Sequence, residues 1–338
     1  MTPLDVLEDW LSIDSTTGRE RAFAEALEAF FTDRGLGVNR QDVAPDRFNL
    51  LVAPGDAVEV LLSTHIDTVP PFFGPRRDGD LLRARGACDT KGGLFAMWRA
   101  FESLPPEDQR RVGFLLVVGE EVDHVGAERA ARDGWPGVRH IILCEPTRNR
   151  LARGQKGILK IALHAEGRAG HSAFAEAGHS AVHALVAVLA DLIGADWPDH
   201  PELGPTTLNV GVIEGGVAAN VFAPSARAEL LFRAVTPPDE LHAQVEAIVD
   251  GRARIEPICA NPPVELAWWP GFETDVVPFN TDAPYLYGVA PITLVGPGDI
   301  RTAHSPDEHI AIPDLDAGVA LYRRILGGLL DGSLTPRP

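Results

Sequence analysis

Three cysteines in 338 residues, Cys88, Cys144 and Cys259, are too few and too scattered for a disulfide framework. A reducing compartment is therefore expected. Basic residues are also in deficit: 30 Lys and Arg against 48 Asp and Glu leave a formal net charge of −18. That balance argues against nucleic acid and anionic membranes as partners. No run approaches the ~20 consecutive apolar residues of a membrane-spanning helix. The opening stretch, MTPLDVLEDWL, is acidic and amphipathic and lacks the basic-then-apolar pattern of a secretory leader. These absences together predict a soluble, cytoplasmic protein.

What is present is ample core material, 45% of the chain being hydrophobic, arranged in two textures. Up to about residue 153, helical periodicity alternates with short apolar runs. Phe23, Leu27, Phe30 and Phe31 recur at helical spacing, as do Leu94, Met97, Trp98 and Phe101. Between and after them VEVLL, VGFLLVV and VRHIIL read as strands buried on both faces. From Gly154 the pattern changes to alternation, with Leu159, Ile161 and Leu163 on one face and Lys160, Ala162 and His164 on the other. The expected fold is α/β: a layered catalytic domain in two parts, residues 1–153 and 261–338, interrupted by an inserted α+β domain over 154–260. That insert is expected to be an antiparallel sheet covered on one face by two helices.

The stretch LLSTHIDTVPPF breaks a buried strand with His65 and Asp67, two residues apart and hence on one face of an extended chain. Four more places put ligand-type side chains at a strand end or in a loop: Asp89 in RGACDTKGG, Glu120 and Glu121 in VVGEEVDHVG, Glu145 in LCEPT, and His304 in GPGDIRTAHSPDEH. Singly, each has an ordinary structural explanation as a cap, a turn or a solvated loop. Jointly, two imidazoles and three carboxylates suit a pair of zinc ions with one carboxylate shared. The adjacent Glu120 and Glu121 must point differently, so one can ligate while the other serves as a general base. Asp67 fits a carboxylate that orients the His65 imidazole. The remaining histidines, His124 among them, are expected to be surface or locally satisfied groups.

Taken together, STHIDTVP, GACDTKGG, GEE, CEPT, AGHSA and GPGDIRTAHSPDEH resemble the zinc-dependent aminoacylase/carboxypeptidase family of metallopeptidases, in order from about residue 5 to residue 330. The resemblance implies that Asp89 bridges two zinc ions, with cobalt able to substitute. One ion would also be held by His65 and Glu145, the other by Glu121 and His304, with Glu120 as general base and proton donor. It further implies dimerisation through the inserted domain, with His171 reaching the partner's active site, and a substrate carboxylate held by Asn220, Arg233 and Gly298. The family geometry implies a cis peptide between Asp89 and Thr90, where relatives commonly carry Met in place of Thr90. Among members, the motifs look nearest to acetylornithine and acetylcitrulline deacetylases, so an N-acetyl amino acid is the expected substrate and arginine biosynthesis the expected setting. The alternatives are a dipeptidase, a carboxypeptidase or a succinyl-diaminopimelate desuccinylase built on the same metal site. A non-catalytic descendant would be marked by loss of a ligand or the base, and all six positions carry competent residue types.

Overall fold

The computed structural model describes residues 2–55 and 57–335. The chain separates into two compact units. The first takes Met1–Arg153, Leu266–Asp275 and Thr281–Pro338, and the second takes Gly154–Glu265 and Val276–Asn280. Sequence reasoning closes the insertion at residue 260; the structure carries it to Glu265 and returns Val276–Asn280 to it. The cause is strand pairing: Val264 and Glu265 pair with Gln155 and Gly154, and the Lys156 amide donates to the Val277 carbonyl at 3.0 Å.

In the first unit, four parallel strands form the centre of the sheet. Val60–His65 lies between Val112–Val117 and His140–Leu143, and Ile292–Leu294 pairs in parallel with His140–Leu143. Val60–His65 and Val112–Val117 are buried along their whole length. This explains their unbroken apolar character, because both faces of a parallel sheet are covered. Arg47–Ala53 and Gly37–Ala44 extend one edge antiparallel. Helix Arg21–Thr32 buries Phe23, Leu27 and Phe31, and the long terminal helix Ile312–Leu330 buries Leu315, Tyr322, Ile325 and Leu326.

Helix Lys91–Glu102 begins directly beyond the Asp89–Thr90 peptide, which is cis. Its two glycines are positional necessities. A Cβ on Gly92 would lie 2.2 Å from the Ala87 carbonyl oxygen, and one on Gly93 would lie 2.1 Å from Cys144 Sγ. Only glycine lets the start of the helix approach the strand end that carries Cys144 and Glu145. The helix then buries Leu94, Met97, Trp98 and Phe101, the residues its periodicity selects.

The second unit is a four-stranded antiparallel sheet in the order Thr207–Gly215, Ser225–Ala234, Gly157–Glu166, Arg254–Asn261. Helices Ala181–Gly194 and Pro238–Val249 pack Leu185, Leu189, Leu192, Leu241 and Val245 against its Leu159, Ile161, Leu163, Leu230 and Phe232. Alternation along Gly157–Glu166 follows directly from having one covered face.

Candidate metal centre

Several expected ligands emerge where parallel strands end. His65 is the last residue of Val60–His65, Glu120 and Glu121 come after Val112–Val117, and Glu145 comes after His140–Leu143. Functional side chains collect beyond the carboxyl ends of such strands. Asp89 arrives from the turn before helix Lys91–Glu102. His304 arrives from a loop, with its backbone in the left-handed region at φ 59°.

The centre of the arrangement is Asp89. Its Oδ1 lies 3.1 Å from His65 Nε2 and its Oδ2 lies 3.3 Å from His304 Nε2. Glu145 Oε1 stands 4.0 Å from the same His65 nitrogen, and Glu121 Oε2 stands 3.0 Å from His304 Nε2. Two half-sites, each an imidazole and a glutamate, therefore share one aspartate. The His65 side is fully buried, whereas the His304 side chain is 52% exposed.

The electrostatics show what the site needs. Burial, and then the charge of Glu145, pushes Glu120 well above the usual carboxylate range. Burial and the Asp89 charge do the same to Glu145 and raise Glu121. Asp89 goes the other way: burial opposes its charge, but hydrogen bonds from His304 and His65 outweigh it and hold the carboxyl low. Those bonds to Asp89 and Glu121 lift His304 to about 10. Burial alone would lower His65, yet hydrogen bonding to Asp67 and Asp89 holds it well above its ordinary value. The two imidazoles thus sit within a concentration of carboxylate charge. Divalent cations would offset it, and an oxygen-and-imidazole donor set is the kind such ions take.

Asp67 lies beside the His65 imidazole and also serves a second set of partners. The His65 Nδ1 meets the main-chain carbonyl of Asp67 at 2.9 Å, with the carboxylate at 3.5 Å. The carboxylate also accepts from the amides of Gly119 at 3.0 Å, Glu120 at 3.1 Å and Glu121 at 3.2 Å, and from the Thr17 hydroxyl at 2.8 Å. By fixing this loop it sends Glu121 to His304 and leaves Glu120 beside Glu145, His124 and Asp282.

His124 and Asp282 belong to the surroundings of Glu120. His124 is buried, its Nδ1 lies 2.9 Å from Asp282 Oδ1, and its ring stacks on Tyr285 at 4.8 Å. Glu120, His124 and Asp282 each place a ligand-type atom within 4.8 Å of the others. No local pattern marks Asp282, which lies 158 residues from His124 in the chain.

This constellation has a known relative. Residues 61–327 match peptidase family M20/M25/M40. A "Peptidase M20 domain-containing protein" of Schizosaccharomyces pombe is 35% identical over 327 residues, spanning 94% of this chain and 82% of the relative. The chain belongs to that family. A "Probable carboxypeptidase" of Aspergillus clavatus is 33% identical over 371 residues, covering 96% of this chain and 81% of its own length. The fold matches that of an M20 family metallo-carboxypeptidase from Sulfolobus solfataricus with a TM-score of 0.79 at 18% identity, over 96% and 98% of the two chains. The layered α/β unit with an inserted antiparallel α+β unit is thus the family's fold. Among the described residues, no helix of this M20 chain is long and apolar enough to cross a membrane.

The remaining expected site residues divide between the units. Gly298, in the first, has φ +89°, and a Cβ there would lie 2.7 Å from the sulfur of Cys88, the neighbour of Asp89. In the second, His171 bridges to Val221 and the Ser172 amide donates to the Asn220 carbonyl at 3.0 Å, so His171 and Asn220 share one loop cluster. Both are exposed. Arg233 stands near the far end of strand Ser225–Ala234, roughly 25 Å along from its first residue at about 3.3 Å per residue.

Proposed function

We propose that this chain is a two-cation peptidase that hydrolyses the amide bond next to a free substrate carboxylate, as a carboxypeptidase or dipeptidase does. The observation that carries the reading is Asp89 presenting one oxygen to each imidazole-and-glutamate half-site, with Glu120 free beside them. Two zinc ions held by His65, Asp89 and Glu145 and by Asp89, Glu121 and His304 would polarise the scissile carbonyl and acidify a water. Glu120 takes the proton from the attacking water and delivers it to the leaving nitrogen. Asp67 keeps Glu120 and Glu121 apart by holding their amides, and His171 of a second copy would stabilise the developing oxyanion.

The substrate class has two supports. Relatives at 33% identity carry the name probable carboxypeptidase. Arg233, half-buried, is lowered by burial with no acidic neighbour among the described residues to raise it, which leaves the guanidinium suited to a carboxylate brought by the substrate. Asn220 and Gly298 complete that grip. Hydrolysis of N-acetyl-L-ornithine or N-acetyl-L-citrulline uses the same chemistry, and the carboxypeptidase names of the relatives favour peptides over it.

Asn220 and His171 lie at one end of strand Ser225–Ala234 and Arg233 near the other, so one copy of the inserted unit cannot bring all three to one small substrate. That separation supports a homodimer formed through this unit. The edge strand Thr207–Gly215 exposes Val212 and Ile213, and helix Ala181–Gly194 exposes Val186 and Ile193. An exposed apolar edge strand invites pairing with another chain. Sedimentation should give twice the 36.3 kDa chain mass, and Ile213→Asp should return the monomer; a monomeric wild-type protein would sink the dimer.

The substrate reading is tested by amine release from zinc-reconstituted protein. The panel holds dipeptides with free and amidated C-termini, N-acetyl-L-ornithine, N-acetyl-L-citrulline and N-succinyl-diaminopimelate. Turnover is expected with free-carboxylate dipeptides and should be lost on amidation. Turnover confined to the acetylated or succinylated amino acids would overturn the peptide assignment while keeping the metal chemistry.

A further inference from the structure

The two half-sites come from chain segments far apart in sequence, and one buried side chain ties them together. Glu308, fully buried, sits four residues beyond His304. Its Oε1 accepts the amides of Gly86 at 2.9 Å, Cys88 at 3.1 Å and Asp89 itself at 3.1 Å. Its Oε2 takes a close charge-assisted bond from Arg85, which is also buried. The Glu308 carbonyl in turn receives the Ala84 amide at 3.2 Å. A single carboxylate therefore fills the concave row of amides in the turn that presents Asp89, while its own backbone continues the loop that presents His304. Converging amides of this kind form an anion-binding concavity, and here the anion belongs to the chain.

We propose that Glu308 is a positioning residue for the metal centre, setting the distance between Asp89 and His304 and hence the affinity of the His304–Glu121 half-site. This rests on the two-cation reading above. The two halves differ in what else supports them. His65 ends a buried central strand, so its own position does not depend on Glu308. His304 is half-exposed on a loop, and its register against Asp89 is the one Glu308 holds. Removing the anion should loosen the second half and spare the first.

Glu308→Gln tests this with little change in volume. Its amide has one acceptor oxygen and two N–H donors, so it cannot satisfy both the three amides and Arg85: one side meets a donor. Apo protein would be titrated with Zn²⁺ against a chromophoric chelator, and its thermal melting followed alongside. Wild-type protein is expected to bind two ions. The variant is expected to bind the first with unchanged affinity and the second about 10–100-fold more weakly, the range typical of outer partners of metal ligands. Glu308→Asp, which keeps the charge on a shorter stem, should recover part of the loss. Two unaltered affinities in Glu308→Gln would overturn the proposal, as would equal weakening of both together with a lowered apo melting temperature, which would make Glu308 a general fold support. A wild-type protein binding fewer than two ions would instead bring down the two-cation reading itself.

Discussion

Glu120→Gln should lower kcat by about 10³-fold while leaving two metal ions bound, within the 10²–10⁴ that a general base contributes. At about 1.4 kcal/mol per factor of ten, this is the largest single-side-chain loss expected at unchanged metal content. The loop geometry is the reason. Glu121 is 3.0 Å from His304, whereas Glu120 stands beside Glu145, His124 and Asp282. A glutamine keeps the shape and the amide bond to Asp67 Oδ1 but has no basic oxygen with which to accept a proton. Metal analysis and steady-state kinetics on the same preparation check it. Loss of a metal ion in Glu120→Gln would show that Glu120 is a ligand and that the roles of the two glutamates are reversed.

Asp89→Ala should abolish activity by removing metal from both half-sites at once. Oδ1 faces His65 and Oδ2 faces His304, so this one carboxylate serves both halves. Without it each half is left with one imidazole and one glutamate, too few protein donors for a tight site. The expected weakening is at least about 100-fold for each ion, the upper end of what loss of a mere outer partner costs. By contrast, Glu145→Ala should weaken chiefly the His65 half, and the contrast identifies the bridge. Metal content after dialysis against a weak chelator is the measurement. Retention of one tightly bound ion in Asp89→Ala would mean that the aspartate serves only one half-site.

The local pattern of the chain was enough to single out several candidate ligands. Unbroken apolar runs identified strands buried on both faces, and such strands carry the residues at their carboxyl ends to one edge of the sheet. His65, Glu120, Glu121 and Glu145 could therefore be picked out together as candidates. Alternation from Leu159 onward likewise identified a one-faced sheet, because a period of two survives only where one side is covered.

What the sequence could not determine were relations between segments distant along the chain. The two oxygens of Asp89 are divided between His65 and His304, and His304 meets Glu121 across 183 residues. The Asp67 carboxylate, 3.5 Å from its neighbour His65, also accepts amides more than 50 residues away in the loop after Val117. Glu308 meets the Gly86 amide across 222 residues. His124 found Asp282, and the returning chain at Val264 rejoined Gln155 beyond the expected boundary. Periodicity reports which face of an element is buried. Which groups then meet there depends on packing, where buried donors and acceptors must each find a partner, and that is settled only in three dimensions.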